Sequence, residues 1–575
     1  MPPRPGATQA AIFSVEKKFL ACLESRSTLP VLKLVVVHYH FRPGGVRRVI
    51  ELALPHFSGA LPAPLTEVLL VAGEPPPPAW LAGLRAALGP LPVSVHIDPA
   101  LAYVAERRRI TPKARMHRLR RFFAQLFALL PPAQILVWAH NQSLGRNLAL
   151  TGELTRAVVA HRARAVFHHH DWWFDNRWAR WPEMRHTGGR TLAQVAATLL
   201  PTAPGCRHAT INQADAAMLA APFGRRAAWL PNLANAVSPP AAAEIRRARA
   251  WLTAQLGDDA PVWLVPCRLL RRKNLAEALL LTRWLRPEAW LVTTGGVSSA
   301  EEQPYAAALA RAAHAAGWKC RLSVLDGDEE GKPAVPALLA ASEVVLLTSL
   351  QEGFGLPYLE AAAMQRPLIA RSLPNVAPDL AHFGFRFPQA YDEVLVAPTL
   401  FDWAAERKRQ RELRRDWLGQ LPLAVRRLAG QPAVLAAEVY AEREGRGEAV
   451  APAPVPFSRL TLTAQLEVLR QPVAHSWALC APLNPFLMRW RARAARGALG
   501  VTRWPATATA GLGGAAYAQR FAALLAAPES RSRGRGSSAV ATAAAADSAA
   551  GRAAQAAFIA QKLRAENLYP LTWTP

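Results

Sequence analysis

The segment that decides the fold runs from Thr348 to Ala370 and reads TSLQEGFGLPYLEAAAMQRPLIA. Before it, Glu343 to Thr348 is a short apolar, β-branched run of the kind that forms a buried strand. Gly353 to Leu356 then form a turn, Pro357 is placed to open a helix, and another strand begins at Leu368. This order predicts a right-handed βαβ unit with a ligand crevice at the carboxyl end of its first strand.

Two carboxylates flank that turn, because Glu352 and Glu360 lie eight residues apart. Between them, backbone N–H groups and the positive end of the helix dipole favour an anion such as a phosphate. Glu360, about one turn into the helix, is placed to accept hydrogen bonds from sugar hydroxyls, and Glu352 lies at the mouth of the crevice. The spacing by itself also fits a surface helix with two solvated acids, so the rest of the chain has to decide.

The segment resembles the signature of retaining glycosyltransferases with the two-domain GT-B fold, specifically family 4, the group 1 transferases. In that family the first glutamate faces the transferred sugar, the second holds the nucleotide ribose, and the backbone between them meets the diphosphate. The resemblance therefore implies a catalytic role for Glu352 and a donor-binding role for Phe354, Gly355, Leu356 and Glu360. It also implies a hexosyltransferase-type enzyme without a bound metal or other cofactor. Its co-substrate is a nucleotide-diphosphate sugar, with UDP favoured and GDP or ADP left open.

Length and composition agree with this expectation. A chain of 575 residues is too long for one core, so we expect two domains or more. No uninterrupted apolar run reaches about 18 residues, and residues 1–25 do not resemble a signal peptide, so we expect a cytoplasmic protein. The five cysteines are scattered and form no C-x-x-C pair, which argues against a disulfide framework or a zinc site.

The formal charge of +27 suggests an anionic partner, although base composition of the genome alone can produce such an arginine excess. No nucleic-acid-binding signature accompanies the charge, so no specific nucleic acid is expected. The densest basic patch, Arg107 to Arg121, resembles the patches with which lipid-modifying family members dock on anionic membrane. A solvated basic helix is the favoured interpretation, and peripheral contact with the inner membrane face stays open.

The first strand of the N-terminal part is predicted at Val31 to Val37 and is followed by Gly44 and Gly45. This glycine pair resembles the family's loop at which the backbone approaches the donor phosphate, which assigns both glycines to donor binding. Further strands are predicted at Val68–Ala72, Val93–Ile97, Ile135–Ala139 and Ala165–His169, in an alternating α/β order.

Histidines follow two of these strands, at His140 and at His168 to His170. Consecutive side chains of a strand point to opposite faces, so a run of histidines is not expected to converge on one metal ion. In the family a histidine at this strand end lies under the transferred sugar. His170 with Asp171 matches it best and is assigned a catalytic role, with His168 in reserve. His170 is expected to form hydrogen bonds with the sugar and to stabilise positive charge near the anomeric carbon.

The loop after Asp171 is unusually aromatic and cationic, and together with His140 it is the candidate acceptor pocket. Its members include Trp172, Trp173, Trp178, Trp181, Arg177, Arg180 and Arg185. Core packing is the alternative for some of the tryptophans.

The C-terminal part is expected to begin after a Pro/Ala-rich hinge at Ser238 to Ala243. After its first strand, Arg268 and Lys273 resemble the family's cation pair that clamps the donor diphosphate, with Arg271 and Arg272 as competitors. Asn274 stands where the family usually has glycine. A further strand is predicted at Leu322 to Leu325, ending in Asp326-Gly327-Asp328. This motif has the shape of the metal motif of the GT-A fold, but its place in a loop before the signature strand favours solvent or the nucleobase.

The predicted fold class is α/β, with two Rossmann-like domains facing each other across a cleft (GT-B) and a helical, partly disordered C-terminal extension. The expected division is an N-terminal helical extension (1–30), an acceptor-side domain (31–235), a nucleotide-sugar-binding domain (236–400), helices that can cross back (401–445) and an extension of unknown role (446–575), disordered over 530–557. The acceptor is left open among a glycan, a lipid-linked sugar and a small molecule. The alternatives are an inactive GT-B scaffold that acts as a binding protein, and a basic protein that binds membranes or nucleic acid.

Overall fold

Two parallel β-sheets organise the chain in the computed structural model. The structure describes residues 31–131, 134–175, 177–235, 238–297, 302–327, 331–431, 453–528, 538–564 and 567–569, with side chains left out at 538–548. The predicted N-terminal extension (1–30), the helix expected at Ala436 to Gly445 and Asp328 of the DxD-like motif lie outside these residues.

The N-terminal sheet has seven strands, all parallel, in the order β3-β2-β1-β4-β5-β6-β7. These strands are β1 (Leu32–Val37), β2 (Leu65–Ala72), β3 (Val93–Ile97), β4 (Ile135–His140), β5 (Arg164–His169), β6 (Cys206–Thr210) and β7 (Ala227–Trp229). Its helices are α1 (Gly45–Ala53), α2 (Pro78–Leu88), α3 (Pro112–Ala128), α4 (Leu148–Ala160), α5 (Arg180–His186), α6 (Leu192–Leu199) and α7 (Gln213–Phe223). Leu34 and Val36 pack into one core and Val35 and Val37 into the other. Both faces of β1 are covered, which explains its apolar sequence.

The C-terminal sheet has six parallel strands in the order β10-β9-β8-β11-β12-β13. These are β8 (Val262–Val265), β9 (Trp290–Thr293), β10 (Cys320–Arg321), β11 (Val344–Leu347), β12 (Leu368–Arg371) and β13 (Gln389–Tyr391). Its helices are α8 (Ala242–Leu256), α9 (Leu275–Leu285), α10 (Gln303–Ala315), α11 (Val335–Ala341), α12 (Leu356–Ala363) and α13 (Ala377–His382). The predicted unit of strand, glycine turn, helix and strand is confirmed as β11, α12 and β12.

Two Rossmann-like parallel sheets in one chain confirm the predicted GT-B fold class. A further strand expected at Leu322 to Leu325 is wrong, because pairing with β9 stops at Arg321. Ser323 adopts a positive φ of 57°, and its N–H donates to Thr293 Oγ1 at 2.8 Å, which turns the chain away from the sheet edge.

The chain after the second sheet packs against both domains. It forms a two-stranded antiparallel ribbon, β14 (Leu395–Val396) with β15 (Val455–Pro456), and helices α14 (Trp403–Gln420), α15 (Leu423–Ala429), α16 (Leu462–Arg470), α17 (Val473–Cys480), α18 (Pro485–Ala494), α19 (Ala506–Leu512), α20 (Gly514–Ala526) and α21 (Ser538–Lys562). Short 3-10 helices lie at Leu54–His56, Pro99–Leu101, Val104–Glu106, Gln142–Leu144, Gly224–Arg226, Arg271–Lys273, Pro398–Leu400, Phe457–Arg459 and Ala481–Leu483.

Three parts of this extension reach different cores. Leu487 of α18 packs in a core of the C-terminal sheet, whereas Phe521 of α20 packs in a core of the N-terminal sheet. Trp417 of α14 and Phe558 of α21 share a third core with the tryptophan-rich loop. The extension therefore ties the two sheets together by apolar burial.

The prediction of disorder is wrong for residues 549–557, because Ala554 and Gln555 of α21 are buried. Alanine is the strongest helix former, and a helix face of small side chains packs closely on its neighbours α6 and α7. Among the described helices, none combines the length and the apolar character that a membrane crossing requires.

Candidate active site between the two sheets

A cleft of about 610 Å³ lies between the two sheets and is lined by both domains. Its N-terminal wall includes His38, Tyr103, Arg146, Asp171, Arg177 and Arg180. Its C-terminal wall includes Arg268, Arg271, Arg272, Gln351, Glu352 and Gly353. Most of these residues follow the carboxyl ends of parallel strands, where ligands bind in open α/β sheets.

A buried ion pair dominates the C-terminal wall. Lys273 Nζ lies 2.5 Å from Glu352 Oε1, and Arg272 Nη1 lies 3.2 Å from Glu352 Oε2. Arg272 also donates to the carbonyl of Gln351 at 2.7 Å, and Asn375 donates to the carbonyl of Glu352 at 2.6 Å. Burial opposes ionisation of Glu352, but the charges of Lys273 and Arg272 outweigh it and hold its pKa at about 2. Glu352 is therefore a carboxylate at neutral pH.

The glycine turn after Glu352 is required by close packing. A Cβ on Gly353 would lie 2.7 Å from Ile211 Cδ1 and 3.4 Å from the carbonyl oxygen of His170, both in the N-terminal domain. Gly355 has a φ of +85°, and a Cβ there would lie 2.7 Å from Val376. Glycine at Gly353 lets the turn approach the opposite wall, whereas glycine at Gly355 permits the left-handed φ and the close packing on Val376.

Phe354 is buried in a core of the C-terminal sheet, so its side chain anchors the turn and does not line the cleft. Its predicted donor contact is therefore restricted to the backbone. Leu356 begins α12 directly after Gly355. The Glu360 side chain on the same helix reaches solvent, but neighbouring groups partly desolvate its carboxyl and raise its pKa, against the charges of Arg48 and Lys273.

The cations after β8 take different positions. Arg268 is exposed and lines the cleft, whereas Arg272, one of its predicted competitors, contacts Glu352. The backbone N–H of Arg271 donates to the carboxylate of Glu302 at 2.9 Å. Asn274 has a left-handed φ of +51°, a conformation that asparagine tolerates better than most residues. This explains how it stands where the family usually has glycine.

Gly44 and Gly45 line the cleft beside the start of α1. A Cβ on either residue would meet no atom within 4 Å, so packing within the described chain does not require glycine there.

The histidines at the ends of β4 and β5 form two groups. His169 Nε2 lies 2.9 Å from His208 Nδ1, while His170 Nε2 lies 3.2 Å from His140 Nδ1 on the other face. His168 Nδ1 lies 3.3 Å from the hydroxyl of Tyr517 of α20. The alternation of consecutive histidines between faces is confirmed.

The alternation of side chains along the strand did not predict one candidate cation site. Nitrogens of His140, His168 and His170 lie within 4.8 Å of one another, because residues two apart on β5 share a face with the end of β4. Three neutral imidazoles could hold a divalent transition-metal ion such as zinc. Considering only consecutive positions missed this group.

Burial keeps these imidazoles neutral at pH 7. It lowers the pKa of His170 to about 4, against the opposing charge of Asp171, and it also lowers the pKa values of His38, His140 and His168 well below normal. Burial also opposes ionisation of Asp171, yet Arg177 and Arg272 hold its pKa well below normal. His170 can thus exchange hydrogen bonds with a sugar, but it carries no charge of its own.

The predicted acceptor pocket needs correction. Trp172 and Trp173 are 3% and 1% exposed and belong to a core cluster, so neither ring offers a face to a sugar. The Trp172 ring packs against Phe558 of α21, with centroids 4.3 Å apart. His140 is fully buried behind His170. Of the eight residues named for this pocket, Arg177 and Arg180 line the cleft.

Sequence reasoning missed several groups on the N-terminal wall, including Tyr103, Arg146 and Lys562. Lys562, at the end of α21, lies 2.7 Å from Asp175 Oδ1. No local motif marks these residues, and Lys562 lies far along the chain from the strands that it joins. Arg185, predicted beside them, is exposed and is not among the residues that line the cleft.

A comparison with protein families finds a match to the part of the chain that forms the C-terminal wall. Residues 254–391 match the family model described as "Glycosyl transferases group 1". The match supports a glycosyltransferase of the GT-B type. This stretch holds Arg268, Lys273, Glu352 and Glu360, and thus most of the predicted donor site.

A relative by sequence is mannosylglucosyl-3-phosphoglycerate synthase of Petrotoga mobilis, which is 25% identical over 246 residues. The alignment covers 41% of this chain and 46% of that protein, so less than half of the relative is matched. Among solved structures, HepE of Anabaena in complex with UDP-glucose is 18% identical, with 60% of this chain and 82% of that chain covered and a TM-score of 0.41. WaaG, a glycosyltransferase involved in lipopolysaccharide biosynthesis, is 15% identical, with 61% and 84% covered and a TM-score of 0.40.

Proposed function

We propose that this chain is a retaining, family 4 glycosyltransferase that moves a sugar from a nucleotide-diphosphate donor to an acceptor held by the N-terminal domain. The observation that carries the proposal is the Glu352 carboxylate, buried between Lys273 and Arg272 and facing His170 across a cleft with the exposed Arg268. The group 1 family match covers these residues of the C-terminal domain. UDP is the favoured nucleotide, and GDP and ADP remain alternatives.

In this proposal the C-terminal wall binds the donor. Arg268 offers its guanidinium to the diphosphate, and Lys273 and Arg272 add positive charge as the leaving phosphate develops negative charge. The backbone N–H groups at the start of α12 meet the same phosphates. Glu360 accepts hydrogen bonds from ribose hydroxyls, because it is the exposed carboxylate on that helix.

Retention follows from attack on the face that the leaving group occupies. The bond from the anomeric carbon to the phosphate oxygen breaks and its electron pair stays with the phosphate. The acceptor hydroxyl forms the new bond and gives its proton to the leaving phosphate. Glu352 and the neutral His170 stabilise the positive charge at the anomeric carbon. Closure of the two walls keeps water from replacing the acceptor.

We also propose that the enzyme works in the cytoplasm, on a glycan, a lipid-linked sugar or a small molecule. Contact with an anionic membrane through α3 is a weaker proposal. Arg118 pairs with Asp98 at 2.7 Å and Arg120 with Glu153 at 3.0 Å, which leaves less free charge there than the sequence suggests.

A binding panel tests the proposal. Wild-type protein is titrated with UDP-glucose, GDP-mannose and ADP-glucose by calorimetry and by thermal shift. We expect one nucleotide to raise the melting temperature, because a ligand that binds only the folded state stabilises it. Lys273→Ala and Glu360→Ala should weaken that binding, while Arg185→Gln, an exposed arginine outside the cleft, should not.

Two outcomes contradict the proposal. No binding of any nucleotide sugar by the wild-type protein would favour an inactive scaffold. Unchanged affinity in both Lys273→Ala and Glu360→Ala would remove the donor site from this wall. The anomeric configuration of the product, read by NMR, separates retention from inversion.

A further inference from the structure

The arginines of the N-terminal wall differ in whether they form an ion pair with a carboxylate. Arg177 Nη2 lies 3.2 Å from Asp171 Oδ1. Arg180 donates to the carbonyl of Leu144 at 3.2 Å. The Arg146 guanidinium lies 5.0 Å from the centre of the Tyr103 ring, and its buried Nε has no hydrogen-bond partner among the described residues. Within the described part of the chain, neither Arg146 nor Arg180 forms an ion pair.

Several other cations of the cleft differ in this respect. Arg42 pairs with Glu74 and Glu106, Arg272 pairs with Glu352, and Lys562 pairs with Asp175. Their charges are already compensated by carboxylates of the chain. Arg146 and Arg180 therefore leave a local excess of positive charge that faces the cleft.

The electrostatics of Arg180 reflect this excess. Burial lowers its pKa to about 9, and the like charges of Arg177 and Arg146 act in the same direction. Glu183 and Tyr103 only partly oppose them. Partly buried, uncompensated guanidinium groups are costly, and a bound anion would remove that cost.

We propose that the acceptor carries an anionic group, a phosphate or a carboxylate, which binds to Arg146 and Arg180. That the ligand of this site is the acceptor rests on the proposed function, whereas the anion site itself rests on the positions of the two arginines. Guanidinium groups suit phosphate and carboxylate oxygens because their N–H groups form a planar fork. Arg146 and Arg180 belong to the N-terminal wall of the cleft, whereas Arg268 of the proposed donor site belongs to the C-terminal wall.

The test compares sugars that differ in charge. The full chain is saturated with UDP, so that the diphosphate site is blocked, and is then titrated by calorimetry with glucose, glucose 6-phosphate and glucuronate. We expect at least one of the two anionic sugars to bind about tenfold or more tightly than glucose, because each charged hydrogen bond contributes appreciably. A preference for glucose 6-phosphate alone identifies a phosphate, and a preference for glucuronate alone identifies a carboxylate.

The variants locate the site. The double substitution Arg146→Gln with Arg180→Gln should abolish the preference for the anionic sugar and leave UDP affinity unchanged. Arg185→Gln, on the same helix as Arg180 but outside the cleft, is the matched control and should keep the preference. Should the double variant fail to fold, Arg180→Lys keeps the charge without the fork and should lower the preference.

Equal binding of glucose and both anionic sugars to the wild-type protein would overturn the inference, as would an anion preference that survives in the double variant. Failure of the proposed function looks different, because the wild-type protein would then not bind UDP at all.

Discussion

The two walls of the cleft differ in how their charges are arranged. On the C-terminal wall, Lys273 and Arg272 both contact Glu352, so the charges are held in place before any ligand binds. On the N-terminal wall, Arg146 and Arg180 contact no carboxylate of the described chain. The first arrangement suits a wall that stabilises charge as it develops during a reaction, and the second suits a wall that binds a charge already present on the ligand.

The largest expected effect comes from removing Glu352, the carboxylate that pairs with the cations of the C-terminal wall. Glu352→Ala leaves Lys273 buried without its partner, so the free energy of unfolding should fall by about 3–5 kcal/mol. Urea denaturation at neutral pH measures this loss. Glu360→Ala, which removes an exposed carboxylate from the same motif, is the control and should cost less than about 1 kcal/mol. A similarly small loss in Glu352→Ala would show that the ion pair does not organise this wall.

The next effect concerns a hydrogen-bonded contact between the two domains that carry the walls. The N–H of Gln213 donates to both carboxylate oxygens of Asp379, at 3.2 and 3.3 Å. Burial raises the pKa of Asp379 from 3.8 to about 6, and Asp215 adds to the rise. An acid with a raised folded-state pKa destabilises the fold above that pKa and has no such cost below its unfolded value. Asp379→Asn keeps an acceptor oxygen but removes the charge.

Asp379→Asn should therefore stabilise the protein by up to about 3 kcal/mol near pH 8. The gain should shrink as the pH falls through the folded pKa of about 6 and vanish below 3.8. Thermal or urea unfolding of both proteins across that range measures it. Destabilisation near pH 8, or a difference independent of pH, would contradict this account of the contact.

The smallest effect tests whether the C-terminal helix belongs to the N-terminal wall. Lys562→Gln removes the partner of Asp175 and should raise the KM for the acceptor about three- to tenfold, as expected for loss of a partly exposed ion pair. The KM for the donor should stay the same, because Lys562 lies on the other wall. Lys562→Arg keeps the charge and should behave like the wild-type protein. Equal changes in both KM values would contradict the assignment of acceptor binding to the N-terminal wall and donor binding to the C-terminal wall.

The C-terminal wall could be predicted well from the sequence because its parts are close along the chain. Glu352, the glycine turn and the start of α12 occupy one short segment, and strand, turn and helix patterns place them on one edge of the sheet. The conformation of Asn274 could not be predicted, since a left-handed φ depends on the turn that contains it. The choice of Arg272 over Arg268 as the partner of Glu352 depended on side-chain packing.

The N-terminal wall was predicted less well, and the tryptophans show why. Trp172 and Trp173 have the composition of a sugar-binding loop, but their exposure depends on what covers them. Trp172 is covered by Phe558 of α21, which comes from the far end of the chain, whereas Trp173 packs against Trp178 and Trp181 of its own loop. The alanine-rich residues before Phe558 gave no sign that they form a packed helix, so both the pocket and the disorder at 549–557 were predicted wrongly.

By itself, the sequence determined two parallel α/β sheets and the local groups of the donor side, because periodicity, glycine turns and helix starts act over a few residues. Only the tertiary structure decided which cations are compensated, which histidines meet and which aromatic rings are covered. Charge compensation and burial depend on distances between residues that are far apart in the chain. The Glu352 motif is visible in the sequence, whereas Arg146 and Arg180, which pair with no carboxylate of the described residues, are recognised only when the fold brings them together.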